Sequence, residues 1–327
     1  MVTSGRTEAA QAQNKDRLRE YLLQHPEMQL ASLAYTTTAR RMHHNLRDAY
    51  VATSVAELLH QMGQPAKSLT PASSVVFAFT GQGSQYAGMG GTLYRTSPTF
   101  RRMFDSYQRL CDAQGLDCHF LDTILGSEDA ASTDATNAVR DMQVATVALE
   151  IALARYWQSL GLRPTLLIGH SLGEYAALCV AGVLSVGEAL ALAYERAKLI
   201  FTRCSPSKAG MLAVGLPAST VRWRIRDLPA TMSTCEVCCI NGPFSTVVGG
   251  PLAALDALEN YLKSDGDVAT SRLGVQHAFH TRQMDSLLDD LEANASRISF
   301  QPPTLPVAST LLGKIVQPGE SGVFNAS

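Results

Sequence analysis

The sequence predicts an α/β fold: a largely parallel sheet with a small ferredoxin-like subdomain inserted in it. Three observations carry this reading. Short apolar runs at 75–79 and 165–168 each lead into a glycine-containing turn, as buried parallel strands do. A long helical pattern at 138–160 separates them, and a second helix follows the later turn. Residues 206–276 then switch to four strand-like runs alternating with two helical ones, which makes two β-α-β halves.

Composition narrows the class. The chain has 327 residues, 46% of them hydrophobic and 17% charged, enough for a large core and two or three domain-sized units. The net charge is −2 with no basic block, so binding to nucleic acid or to a membrane surface by charge is not expected. No apolar run approaches the roughly 20 residues that span a bilayer. Residues 1–17 are polar and lack an apolar leader segment. Seven cysteines, an odd number, point to free thiols in a reducing compartment and hence to the cytoplasm. Cys235 and Cys238 match C-x-x-C, but zinc would need a second ligand pair nearby. No metal is expected, and 237–240 reads as a buried strand.

Taken in order, 15–24 is charged and helix-prone, with Leu18, Tyr21 and Leu22 on one face. Arg40, Arg41 and Arg47 with His43 and His44 form a local basic patch that reads as solvated surface. Ser54 and Glu57 form a capping box opening a helix to residue 61. Residues 68–74, with Pro71, read as a linker. The strand at 75–79 ends in Gly81-Gln82-Gly83-Ser84-Gln85 and further glycines to Gly90. This run lacks G-K-[ST] and misses the spacing G-x-G-x-x-G, so phosphate binding is disfavoured. A loop whose backbone closely approaches a reacting centre is the alternative. Val144, Val147, Ala148, Ile151 and Ala152 give the 138–160 helix its apolar face. Ser185 and Glu188 make a second capping box, opening a helix to about 201. Strands at 211–216, 236–240, 246–249 and 268–273 then alternate with helices at 218–227 and 252–263. The expected division is 1–73, 74–205 together with 277–327, and 206–276.

Gly169-His170-Ser171-Leu172-Gly173 fits G-x-S-x-G between a strand and a helix. A sharp turn of this kind exposes a serine hydroxyl that can attack a carbonyl. The hydroxyl needs a base, and histidine is the usual one. His170 sits inside the elbow, where its ring should point away from the hydroxyl. His280 is the first candidate and His277 the second, because a chain returning from an inserted subdomain can lay such a loop over the mouth of the parent domain. Oxyanion donors would come from the Leu172 amide and the Gln82 loop. Arg196 falls on the apolar stripe of its helix with Leu192, Leu199 and Ile200, whereas Glu195 and Lys198 lie on a different, solvated face. An inward guanidinium needs an acidic partner. A substrate carboxylate could supply it, or Glu174 could in a structural pair.

The Gly81–Gln85 run, the Gly169–Glu174 run, Arg196 and His277-Ala278-Phe279-His280 occur in this order. Together they resemble malonyl-CoA:acyl-carrier-protein acyltransferases, most closely those of fungal iterative polyketide synthases, over about 74–312. Residues 1–73 resemble the adaptor linking ketosynthase to acyltransferase. The resemblance implies a hydrolase-like core with a ferredoxin-like subdomain and the site between them. It implies Ser171 as nucleophile, His280 as base, and Gln82 and Leu172 at the oxyanion hole. Arg196 would clamp the malonyl carboxylate, and His277, Phe279, His170 and Gln143 would lie around the substrate. The implied substrate is malonyl-CoA, with no bound cofactor. The implied acceptor is the phosphopantetheine of an acyl carrier protein, and a ketosynthase would be the neighbour in a synthase. By this resemblance relatives continue beyond Ser327 through segments that complete the large domain, so a piece of a synthase, a truncated gene product or a partner in trans is expected. The rival readings are a serine hydrolase or thioesterase, with Asp265 or Asp267 as the acid, and an inactive truncated fragment.

Overall fold

The computed structural model describes residues 1–65, 74–126, 135–204, 209–230, 232–264, 266 and 268–326. The expected linker lies outside these residues apart from Ser74, as do Asp265 and Asp267. The chain forms two compact units, Met1–Ser73 and Ser74–Ser327.

In the first unit β1 (Val2–Gly5), α1 (Glu8–Gln24), α2 (Leu30–Ala39), β2 (Leu46–Ala49) and α3 (Val55–Met62) follow in order. β1 and β2 pair antiparallel. Leu22, Leu33, Leu58 and Met62 are buried together. Thr7 caps α1 through its hydroxyl, so this helix starts well before residue 15. Ser54 caps α3 by accepting from the Glu57 N–H, but the expected box is only half formed. The Glu57 carboxylate turns instead to the N–H and hydroxyl of Thr53, at 2.8 Å each.

The second unit opens with β3 (Val76–Phe79), α4 (Gly91–Thr96), α5 (Pro98–Ala113), α6 (Phe120–Leu125), α7 (Ala135–Ser159), β4 (Leu166–Gly169), α8 (Gly173–Val180) and α9 (Val186–Arg203). A second α/β layer follows: β5 (Ala209–Val214), α10 (Ala218–Asp227), β6 (Glu236–Gly242), β7 (Ser245–Pro251), α11 (Leu252–Ser264) and β8 (Thr270–Arg272). The chain then returns through α12 (Asp285–Ala295), β9 (Val307–Ser309) and β10 (Lys314–Val316).

The larger sheet has the order β10-β9-β4-β3, with β3, β4 and β9 parallel and β10 antiparallel. Phe100, Phe104, Phe120, Val144, Ile151 and Leu167 anchor its core and are fully buried. The capping box of α9 is complete: Ser185 Oγ accepts from the Glu188 N–H, and Glu188 Oε2 accepts from the Ser185 N–H at 2.7 Å. The smaller sheet is antiparallel in the order β6-β7-β5-β8, with α10 and α11 packed by Val221, Leu255 and Leu258. The second unit is a hydrolase-like α/β domain carrying a ferredoxin-like subdomain.

Parallel pairing puts the carboxyl ends of β3 and β4 side by side, Phe79 opposite Gly169. The glycine-rich loop and the serine turn therefore leave the sheet at the same end, where open α/β sheets place their ligands. Gly173 makes this packing possible. A Cβ there would lie 2.4 Å from the carbonyl oxygen of Phe79 and 2.6 Å from that of Thr80. Backbone cannot yield as a side-chain tip can, so Gly173→Ala is expected to destabilise the unit by about 1–3 kcal/mol. The urea midpoint of the variant reads this directly, and an unchanged midpoint would contradict the close approach.

Candidate active site

Ser171 is the second residue past β4 and has φ +52°; His280 has φ +61°. Among the described residues these are the two non-glycine positions in the left-handed region. Such conformations cost of order 1–3 kcal/mol and persist where the surroundings over-determine them. Here both strained residues meet. Ser171 Oγ lies 2.7 Å from His280 Nε2. The 278–281 turn is held by Thr281 Oγ1, which donates to the Ala278 carbonyl at 2.6 Å, and by Gln283 Oε1, which accepts from the Ala278 N–H at 2.7 Å. Burial pushes the His280 imidazole below its ordinary value, and the nearby Arg196 and His170 add to that while Cys239 opposes it. A neutral imidazole is the form that can take a hydroxyl proton.

A cavity of about 900 Å³ opens over this pair, lined among others by Ser171, His280, His170, Tyr175, Arg196 and Cys239. Arg196 donates from Nη1 to Gln143 Oε1 at 2.5 Å and stacks over the Phe279 ring at 5.5 Å. Burial lowers its pKa. Among the described residues no carboxylate lies within ion-pair distance of Arg196. The structural pair with Glu174 does not form: Glu174 Oε1 accepts instead from Thr310 Oγ1 at 2.7 Å, an acceptor role that β9's following loop creates. Gln143 is buried, and its Nε2 has no partner among the described residues. A cation and an idle amide donor thus sit together without an anion.

The glycine-rich loop is fixed from two sides. Thr80 donates from its N–H and its hydroxyl to Glu150 Oε1, at 2.6 and 3.0 Å. Gly81 lies against the elbow, where a Cβ would come within 2.8 Å of His170 Nδ1. The buried Gln82 Oε1 has no partner among the described residues. Leu172, buried by its side chain, precedes α8 in helical geometry. Its N–H belongs to the first turn, where amides lack intrahelical acceptors and favour negative charge.

His277 is not at the serine. It is buried, with its ring 6.2 Å from Phe201 and 5.8 Å from Phe279, and its Nε2 has no partner among the described residues. The left-handed turn at His280 sends the two imidazoles of the same loop to different places. Neighbouring polar groups, Cys239 first and Asn241 after it, raise the pKa of His170 against its burial. The strand expected to be buried at 237–240 is also different: Cys238 and Cys239 are half-buried and Ile240 is 59% exposed. β6 is an edge strand and borders the cavity. Cys239, Asn241 and Tyr175 are lining residues that sequence reasoning missed. Helical spacing from Arg196 could not have found them, because two of them come from the other sheet.

Chemically, the arrangement brings together a serine hydroxyl, an imidazole within hydrogen-bond reach of it and a buried guanidinium that has no acid partner among the described residues. Among the described residues no group of three or more His, Cys, Asp or Glu could hold a metal ion, and no helix is long and apolar enough to cross a membrane.

The family model described as acyl transferase domain matches residues 76–324, and one described as CurL-like, PKS C-terminal matches 1–62. Orsellinic acid synthase of Emericella nidulans is 64% identical over all of this chain, which spans 16% of that protein's length. The non-reducing polyketide synthase crz7 of Cladonia metacorallifera is 42% identical, with 15% of its length spanned. Among solved structures, the acyl transferase domain of SpnD, in complex with 2-(pent-4-yn-1-yl)malonyl, is 30% identical with a TM-score of 0.78; the match covers 97% of this chain and 74% of that one.

Proposed function

The chain belongs to the acyl transferase domain family, and from that premise we propose that it moves a malonyl group from malonyl-CoA to the phosphopantetheine thiol of an acyl carrier protein during polyketide assembly. The observation that carries this reading is Arg196, a cation without an acid partner among the described residues, in the cavity of the Ser171–His280 pair. A buried charge in that state calls for an anion from outside, and the free carboxylate of a malonyl thioester is one. The malonyl-type group bound to the SpnD domain supports the same acyl class.

The proposed sequence is ping-pong. His280 takes the Ser171 proton as the oxygen attacks the thioester carbonyl. The Leu172 and Gln82 backbone amides hold the oxyanion. Coenzyme A leaves as the thiol, having received the proton from His280, and malonyl-serine remains. The phosphopantetheine thiol then repeats the cycle with His280 as base. Arg196 grips the carboxylate, Gln143 orients Arg196 and offers its free amide, and Phe279 supports the guanidinium face. His277 acts on the substrate only through Phe279, and His170 borders the cavity mouth. Carrier protein and ketosynthase are the proposed partners, and free thiols fit a reducing cytoplasm.

Family membership favours transfer over hydrolysis. Intact-mass measurement after malonyl-CoA exposure separates the two. Transfer leaves one malonyl group on the chain that holo carrier protein removes; release of free malonate with no adduct would overturn it. The pH profile gives a second check. His280 acts as base only when neutral, and burial holds its pKa below the ordinary 6.5. The single-turnover acylation rate should therefore hold steady as pH falls through 6.5 and drop only below it. A midpoint at or above 6.5 would remove His280 as the titrating base.

A further inference from the structure

One helix serves two parts of the site. Gln143 and Glu150 stand two helical turns apart on α7 and so share a face. Gln143 holds Arg196, and Glu150 holds the glycine-rich loop. Glu150 Oε1 accepts from both the N–H and the hydroxyl of Thr80, at 2.6 and 3.0 Å. That hydroxyl has one proton and gives it to Glu150, so in its 2.9 Å contact with Ser84 Oγ the serine is the donor. A chain of hydrogen bonds from α7 thus ties together both ends of the Gly81-Gln82-Gly83 turn.

The same loop is braced by the serine turn. A Cβ on Gly81 would lie 3.0 Å from the His170 carbonyl oxygen and 3.3 Å from Ser171 Cβ, and one on Gly173 would lie 2.6 Å from the Thr80 carbonyl oxygen. Thr80 and Gly81 are therefore pressed on the elbow while Glu150 holds Thr80 from α7. Among the described residues Thr80 alone bonds the Glu150 carboxyl, whose buried Oε2 has no partner there. Burial raises the pKa of Glu150 to about 7, against the Thr80 hydrogen bonds that lower it. A carboxyl so easily neutralised serves the loop as an acceptor oxygen rather than as a charge.

We propose that Glu150 is a positioning residue for acylation: from α7 it sets where the backbone N–H of Gln82 stands relative to the carbonyl that Ser171 attacks. Gln82 lies two residues beyond Thr80, and two hydrogen bonds to one oxygen fix the point at which the loop leaves β3. The helix is a rigid mount, with Val144, Val147, Ala148 and Ile151 fully buried. An aimed oxyanion donor contributes about 10²–10³ in rate, and a misplacement of about 1 Å can cost about 10²-fold. Glu150 is not among the residues that line the Ser171 cavity, so it acts through Thr80. The inference rests on acyl transfer through Ser171 as proposed above, but not on the acyl group being malonyl.

The test compares Glu150→Leu with Glu150→Gln in the full chain. Leucine fills the space without an acceptor, whereas glutamine keeps an oxygen for Thr80. In single-turnover acylation of Ser171 by malonyl-CoA, Glu150→Leu should lower the maximal rate roughly 10- to 100-fold and shift the half-saturating concentration by less than about twofold. Glu150→Gln should recover most of the natural rate. Thr80→Val, which lacks the hydroxyl but keeps the N–H, should show the same split at a smaller size. The urea midpoint of Glu150→Leu should equal or exceed that of the natural chain, because a buried unpaired oxygen disappears. Labelling of Ser171 by a fluorophosphonate also develops charge at the oxyanion donors but involves no carboxylate. It should slow by a similar factor in Glu150→Leu. If the natural chain takes up no malonyl, the acyl assignment falls and the labelling rates still decide the role of Glu150. Unchanged labelling in Glu150→Leu, equal losses in the leucine and glutamine variants, or a loss matched by a lower urea midpoint would overturn the proposal.

Discussion

Ser171→Ala is expected to take up no malonyl group, and turnover to a carrier protein should fall by about 10⁴-fold or more, since removal of a serine nucleophile reaches the order of 10⁶. The effect is large because the proposed route needs a covalent ester, and neither the oxyanion donors nor Arg196 can form one. His280→Ala should cost less, about 10²–10⁴-fold, since the hydroxyl remains and only its base is lost. The fold should survive. Serine and alanine bear the same strain at φ +52°, so their melting temperatures should be close. Ser171→Gly removes the strain along with the hydroxyl and should melt higher than either, by the equivalent of about 1 kcal/mol. A chain more stable without its nucleophile would show that the conformation is kept for chemistry. Persisting acylation of Ser171→Ala would move the ester to another residue.

Much of the candidate site's geometry is legible in the sequence, for identifiable reasons. The serine turn announces itself because only small residues fit it: Gly169 and Gly173 each meet backbone within 2.5 Å of a notional Cβ. Arg196 stood out because a charge on an apolar helical stripe breaks the local pattern, and patterns with period 3.6 survive in the sequence. Two alternatives stayed open because a turn decides them. His277 and His280 share one loop, and only the backbone sign at His280 separates them. Glu174 could have reached Arg196 by sequence, yet Thr310, from 136 positions away, takes its carboxylate. Cys239 was hidden more thoroughly. A strand with an extra residue breaks the period of two, so a run that reads as buried emerges half in the cavity. In the first unit β1 and β2 left no trace, because their pairing spans more than 40 positions and β2 is mostly exposed, with no alternation to detect.

Arg196→Ala should reverse the preference for the acyl group. With arginine in place, a malonyl thioester supplies the missing anion, whereas an acetyl thioester leaves a buried guanidinium bonded only to Gln143. Losing a hydrogen-bonded charge pair in a desolvated site costs on the order of 2–4 kcal/mol, so the malonyl rate constant kcat/KM should fall roughly 30- to 1000-fold. The acetyl reaction gains nothing from Arg196, and its kcat/KM should stay level or rise as the uncompensated charge disappears. The ratio of the two is therefore the informative quantity, because it cancels any general loss of activity from the vacated space over Phe279. Arg196→Lys should fall between. It keeps the cation but cannot offer a planar fork to a carboxylate while bonding Gln143. Gln143→Leu should move the ratio in the same direction by less, since it removes the group that aims the guanidinium and a free donor but leaves the charge. Competition assays with labelled malonyl- and acetyl-CoA measure all three variants on one scale. A malonyl-to-acetyl ratio unchanged in Arg196→Ala would mean that the cation reads some other part of the substrate, and the malonyl assignment would fall while Ser171 and His280 kept their roles.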